Sequence, residues 1–238
     1  MKKKMLITGT TQGIGKEIYN HYKESYDVIT INRRGFEGNN IICDLSKIDE
    51  VINVTKVIKD MEIDILINNA GGAEPIVFEQ MTAEDFIQCT NLNYHSPILL
   101  SQAVIENMIK KNDGKIINIS SIASKSPRPM IPHYGASKSA LEKFSSSIAV
   151  AYAGSGVTIN CICPGGVDTK TSKENRKKMA LLSGLDEQFY NDEMKNKNGL
   201  GRMITPYEVV KAIDYLISDE AGVISGQTIN VCGVREVH

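Results

Sequence analysis

Short apolar runs alternate with longer amphipathic stretches along the chain. Seven runs predict strands: Lys4–Thr8, Asp27–Ile31, Asn40–Cys43, Asp64–Asn68, Lys115–Ser120, Val157–Cys163 and Thr228–Val231. They are rich in Ile and Val and continuously apolar, as strands buried on both faces should be. Between them, Ile14–Lys23, Ile48–Met61, Ala83–Lys111, Tyr134–Ala153 and Pro206–Ser218 predict helices. Thr205 is a good N-cap for the last, with proline at its first helical position. Pro97 predicts a kink or restart inside the third. Alternating strand and helix predict an α/β fold: a doubly wound, parallel, seven-stranded sheet with helices on both faces. The connection Asn32–Asn39 leaves little room for a crossover helix. The stretch of about 169–204 is the reverse, long, polar and strandless, and such insertions are usually functional or mobile. The expected organisation is one domain, 1–238, carrying this insertion as a lid of short helices.

Composition narrows the classes. With 238 residues, 42 % of them hydrophobic, the chain can bury a sizeable core. A net charge of −1 argues against a general nucleic-acid binder. No run reaches the ~20 apolar residues of a membrane span. After Lys2–Lys4 only three apolar residues precede Thr8, too few for a signal peptide. Five scattered cysteines fit reduced thiols in a cytoplasmic protein. Cys161 and Cys163 share a strand face without partners for a metal site, so no metal is expected.

Two stretches carry candidate chemistry. The first strand runs into Thr8-Gly-Thr-Thr-Gln-Gly-Ile-Gly15 and then a helix. Glycines there permit close approach of backbone to a pyrophosphate, and the helix start offers free N–H groups to it. Tyr134 and Lys138 stand four residues apart, one helical turn on one face. An ammonium favours a neighbouring phenolate, so the pair suits a general acid/base at a carbonyl or alcohol oxygen. Ser121 lies thirteen positions earlier at a strand end, with Ser120 as its competitor.

Thr8-Gly-x-x-x-Gly-Ile-Gly15, Asn68-Asn-Ala-Gly71, Ser121, Tyr134-x-x-x-Lys138 and Pro164-Gly165 occur in that order. Together they resemble the short-chain dehydrogenase/reductase family over essentially the whole chain, nearest in likeness to 3-oxoacyl-[acyl-carrier-protein] reductase-like members. The resemblance implies a Rossmann-type fold and a catalytic set of Asn93, Ser121, Tyr134 and Lys138. Ser121 would polarise the substrate oxygen and Tyr134 would transfer the proton. Lys138 would lower the tyrosine pKa and hold the nicotinamide ribose, and Asn93 would anchor a relay water, with Asn91 as the alternative. Cofactor contacts are implied at Gly9, Thr11, Gln12, Gly13, Ile14 and Gly15, and at Asp44 and Leu45 near the adenine. They are implied also at Asn69, Ala70 and Gly71, and at Pro164, Gly165, Val167 and Thr169 near the nicotinamide.

Cofactor choice is read after the second strand. Asn32-Arg33-Arg34 lacks the acidic residue that accepts from a ribose 2′-OH. Arginine forks suit a 2′-phosphate, so NADP(H) is favoured over NAD(H), although Gln12 stands where many NADP-preferring relatives carry a basic residue. The expected activity is NADPH-dependent reduction of a ketone or 3-oxoacyl carbonyl to a secondary alcohol. The rivals are an NAD-linked alcohol or sugar dehydrogenase and a non-catalytic NADP-binding scaffold. The lysines at 170, 173, 177 and 178 with Arg176 suggest an acidic or carrier-linked substrate, against the commoner reading of solvated charge. The resemblance also implies a homo-oligomer, a dimer or more readily a homotetramer. It would pair Ala83–Lys111 and Tyr134–Ala153 with their copies, unless Leu141, Phe144, Ile148 and Tyr152 are the sheet-facing stripe instead.

Overall fold

A computed structural model describes residues 2–235 of the chain. The seven strands are β1 Lys4–Thr8, β2 Asp27–Asn32, β3 Asn39–Ile42, β4 Ile65–Asn68, β5 Gly114–Ile119, β6 Val157–Pro164 and β7 Thr228–Val231. All pair in parallel in the order β3-β2-β1-β4-β5-β6-β7. The order reverses between β1 and β4, and ligands of open parallel sheets bind outside the carboxyl ends at such a switch point.

The continuous apolar runs follow from cover on both faces. Leu6, Leu66 and Ile116 point to one face, with helices α2 (Ile48–Ile58) and α4 (Ser96–Lys111). Met5, Ile7, Ile65, Ile67 and Ile117 point to the other, with α1 (Gly13–Tyr22) and α8 (Pro206–Ile217). Successive residues alternate between two cores, so the strands are apolar apart from hydrogen-bonded polar groups such as Asn68 and Asn118. The link from β2 to β3 has no helix, as its length predicts.

The long third helix is not one regular element. It runs as α3 (Ala83–Thr90), a π-turn over Asn91–His95, and then α4 with Pro97 in its first turn. Pro97 has no N–H to give to Asn93 O in an α pattern or to Leu92 O in a π pattern. The restart expected at Pro97 thus takes the form of a wide turn just before it. The helix α5 (Pro132–Ala151) follows β5. Leu141 is buried, and Ile148 and Tyr152 pack against the core, so these three form the sheet-facing stripe. They are not an apolar outer face and supply no evidence for the two-fold pairing.

The insertion after β6 folds as α6 (Lys170–Leu182) and α7 (Glu187–Asn196), capped by Thr169 and Asp186. Its ends are stapled together. Val167 bridges Ile204, Asp168 N–H donates to Ile204 O at 2.7 Å, and Ile204 N–H donates to Gly166 O at 2.8 Å. Arg202 then forks onto Glu208 in the first turn of α8, at 2.9 and 2.6 Å. Thr205 caps α8 in a reciprocal box with Glu208.

Candidate active site

The sequence motifs meet at the carboxyl ends of β1, β4, β5 and β6. Gly9 follows β1 with φ +72°. Gly15 can only be glycine: a Cβ there would lie 2.0 Å from Gly9 O and 2.4 Å from Asn69 Nδ2. Thr8 holds the crossing strands together, its Oγ1 accepting from the N–H groups of Asn69 (3.0 Å) and Ala70 (2.9 Å). Asn69 returns its amide to Thr8 O and Gly9 O. Gln12 occupies the N-cap of α1 without capping it, so the first N–H groups of α1 have no side-chain acceptor. Thr11 is exposed at the rim, and Ile14 is partly buried against the core beneath. A bare helix start behind a glycine turn fits the pyrophosphate of a dinucleotide.

Beyond the β2 end, Arg33, Arg34, Ile42, Asp44, Lys47 and Glu50 line an open cleft of about 310 Å³. Lys47 pairs with Glu50 at 3.2 Å, whereas neither Arg33 nor Arg34 is ion-paired among the described residues. Asp44 Oδ1 accepts from Ser46 N–H and Oγ–H. Two residues expected at the cofactor are committed elsewhere. Asn32 is buried, its Oδ1 accepting from Thr10 N–H at 2.7 Å and its Nδ2 donating to Asn40 at 2.8 Å. Leu45 points its side chain into the core.

The four residues expected to be catalytic converge from three elements. Ser121, just past β5, starts a short turn and accepts from Ala123 N–H at 3.2 Å. Tyr134 stands in the first turn of α5, and Lys138 follows one turn later. Lys138 is 1 % exposed, and its Nζ donates to Ile119 O at 2.8 Å. That ammonium lies 5.9 Å from the Tyr134 ring centre. Asn93 is fully buried in the π-turn, exchanging hydrogen bonds of 2.9 Å with both N–H and C=O of Gly72. A Cβ on Gly71 would meet Asn93 Oδ1 at 2.7 Å and Lys138 Nζ at 3.0 Å, so these two groups flank the same glycine. Asn91 is turned away to Ser46 O and His95, so Asn93 is the asparagine at the site. Ser120 is likewise turned away, donating to Glu142 at 2.5 Å.

One expectation is overturned. Burial pushes the Tyr134 phenol up to about 12, and a hydrogen bond with Ser121 pulls it only part of the way back. Burial outweighs the expected lowering by Lys138, whose own ammonium it drives down to about 8. Desolvation disfavours both charged forms and outweighs their attraction.

Gly165 N–H donates to Val231 O, and a Cβ there would press on Cys232 Cα at 2.8 Å. Pro164 ends β6, and Val167 is buried at the lid base. Thr169 packs over Gly13, where a Cβ would reach its Cγ2 at 3.4 Å. The lid is fastened on two sides. Gln12 Nε2 donates to Thr171 Oγ1 at 2.8 Å, and Lys178 pairs with Glu74 at 3.1 Å. Its other bases also have partners: Lys170 with Glu174, Lys173 with Asp168, Lys177 with Glu187, and Arg176 with Asn191. That pairing favours plain surface charge over recognition of an acidic substrate. Gly72 and Glu142 escaped the sequence reading, and Thr8 entered it only as the head of the glycine motif; only the Lys138-x-x-x-Glu142 spacing signalled Glu142.

Among the described residues no group of acidic, His or Cys side chains could hold a metal, and no helix is long and apolar enough to cross a membrane. A sequence profile described as short chain dehydrogenase matches residues 3–180. The chain is 33 % identical to a 3-oxoacyl-[acyl-carrier-protein] reductase FabG of Buchnera aphidicola subsp. Schizaphis graminum, over 98 % of this chain and 96 % of that protein. Among solved structures, a variant of actinorhodin polyketide ketoreductase with NADPH superposes with a TM-score of 0.91 at 25 % identity, covering 100 % of this chain and 98 % of that one. A 4-hydroxyisoleucine dehydrogenase complexed with NADH gives 0.82 at 25 % identity, covering 97 % of each. The profile match, the full-length relatives and the gathered strand-end motifs agree: the chain belongs to the short-chain dehydrogenase family and is an oxidoreductase that works with a nicotinamide cofactor.

Proposed function

We propose that this enzyme reduces a ketone carbonyl to a secondary alcohol with NADPH, using Ser121, Tyr134, Lys138 and Asn93. The observation that carries the reading is the protonated phenol beside Ser121 at the end of β5. With its pKa up at about 12, Tyr134 is a phenol at neutral pH and can give a proton. A developing alkoxide is a stronger base than a phenolate, so the transfer runs downhill. With its pyrophosphate held at the glycine turn, the cofactor would supply the hydride from its nicotinamide. Ser121 orients the carbonyl oxygen and donates to it. Lys138 stabilises the phenolate left behind. Asn93, beside Lys138 at the π-turn, would anchor a water that returns the proton.

The unpaired Arg33 and Arg34 at the adenosine-side cleft support NADPH, as does the NADPH-bound ketoreductase among the similar structures. The NADH-bound dehydrogenase and the non-basic Gln12 favour a second reading, an NAD-linked alcohol dehydrogenase. The 3-oxoacyl reductase relative points to acyl ketones as the first substrates to try. The test is absorbance of NADPH and NADH against a panel of ketones and 3-oxoacyl thioesters, repeated with Tyr134→Phe. Reduction that prefers NADPH and falls by several orders of magnitude in the folded variant is expected. Near-normal turnover without the phenol would sink the assignment, and a preference for NADH with alcohols would favour the second reading.

A further inference from the structure

Glu142 lies one turn beyond Lys138 on the same face of α5. Its Oε1 accepts from two buried donors on neighbouring strand ends, Ser120 Oγ at 2.5 Å and Cys163 Sγ at 2.9 Å. Ser120 immediately precedes Ser121, and Cys163 immediately precedes Pro164-Gly165. One carboxylate oxygen therefore ties the helix bearing Tyr134 and Lys138 to the strand ends bearing Ser121 and Gly165.

We propose that Glu142 is a positioning residue for this site, clamping β5 and β6 to α5 and placing a carboxylate one helical turn from Lys138. Its effect on turnover rests on the carbonyl-reductase reading above. A half-exposed helical glutamate is ordinarily a solvent group, but this one has both donors buried. The groups facing Lys138 come from three elements: Tyr134 and Glu142 on α5, Cys89 on α3, and Cys161 and Cys163 on β6. Burial pushes the thiols of Cys161 up to about 11 and Cys163 up to about 12, and it raises Cys89 too. With Tyr134 up at about 12, these groups are neutral near pH 7. Glu142 is the one carboxylate among them, and it opposes the burial that drags Lys138 down. Neither Ser120 nor Cys163 could replace it, since both spend their protons on it.

Glu142→Gln keeps the shape and an acceptor oxygen but removes the charge. The Lys138 titration is read by NMR of carbon-labelled lysine, assigned with Lys138→Met, and kcat is measured across the same pH range. The Lys138 midpoint should fall by about half a unit to one unit. With it, kcat should drop about twofold to fivefold near pH 8 and less near pH 6, because the ammonium is lost at lower pH. Glu142→Asp keeps the charge and should keep the midpoint, which preserves the test if the glutamine variant fails to fold. An unmoved Lys138 midpoint in Glu142→Gln, a midpoint lowered equally in Glu142→Asp, or a kcat loss equal at every pH would overturn the proposal. If the wild-type protein reduces no ketone, the functional reading fails, while the lysine titration still decides this one.

Discussion

The strand ends and the lid stand one above the other but are built on opposite terms. At the strand ends, Asn93, Lys138 and Asn69 each fix their polar atoms on backbone groups of another element, and Asn93 and Lys138 are wholly buried. The helix α6 meets the rim mainly through exposed contacts, Gln12 to Thr171 and Lys178 to Glu74, each worth little in water. A long, part-buried one runs from Asn175 to Ala73 O, and Gly199 N–H donates to Gly233 O at 2.8 Å near the insertion's far end. Buried hydrogen bonds cost the whole desolvation of the abandoned partner when broken, so the lower layer is fixed. Surface contacts exchange readily with water, so on the lid reading proposed for 169–204 the upper layer is the part that opens. On that reading the chemistry is pre-organised before a substrate arrives, and selection falls to the insertion.

The contrast is broken most severely by Gly71→Ala. The added methyl would need the space of Asn93 Oδ1 and Lys138 Nζ, neither of which is free to yield. A displacement of about 1 Å in catalytic groups costs on the order of 100-fold, so kcat should fall that far with fold and lid intact. A folded Gly71→Ala protein with wild-type kcat would show the lower layer to be as compliant as the upper.

Arg33→Ala probes the rim between the layers. Loss of a charge-assisted contact to the 2′-phosphate is worth about 1.5–3 kcal/mol, or roughly tenfold to a hundredfold in NADPH affinity. NADH affinity should hardly change. Fluorescence titration of both cofactors checks this, and equal weakening of the two would remove Arg33 from the 2′-phosphate.

Gln12→Ala should have a smaller effect, confined to the lid. One exposed hydrogen bond contributes about 0.5–1.5 kcal/mol, so lid opening should become about twofold to tenfold more populated. Hydrogen exchange of α6 and α7 should quicken in the variant, and in the wild type should slow when NADP and a substrate analogue are bound together. Exchange that no ligand alters would make 169–204 an ordinary surface insertion.

The smallest effect is expected where the lid rejoins the fold. The Arg202 fork and the Thr205 amide hold the Glu208 carboxyl down to about 2, against an ordinary value of 4.5. A depressed carboxyl stabilises the fold fully above its unfolded pKa and loses that contribution as pH falls through the folded value. Acid unfolding of the wild type between pH 4.5 and about 2 should therefore be steeper than that of Glu208→Gln. Parallel acid profiles would leave this anchor without energetic weight.

The two regions were also unequally legible in the sequence. Strands covered on both faces are largely apolar, so all seven could be read to within two residues despite polar positions such as Thr30, Asn68 and Asn118. The glycine turn, Ser121, Tyr134 and Lys138 were legible because short-range spacing fixes them on one turn or one strand end. At the π-turn only the interruption was legible, from Pro97; its wide form was not, since several kinds of restart fit one proline. Glu142 and Thr8 act on partners 21 to 62 positions away, which no local pattern carries. The ends of α6 and α7 were hidden by their polar composition, although Thr169 and Asp186 stood as readable caps. The direction of the Tyr134 shift was misread because a pairwise rule was applied without the desolvation that only the packed structure reveals.

The staple between Val167 and Ile204 has a consequence for how such a chain can diversify. Because both feet of the insertion are fixed side by side, the sheet senses only their separation and not what lies between. The entropy of closing a loop on fixed feet grows with the logarithm of its length, about 0.6 kcal/mol for each doubling. Mutation can therefore lengthen, shorten or rewrite the helices above the staple at almost no cost to folding, and a graft cut at 168 and 203 should carry its preference for a substrate onto another frame.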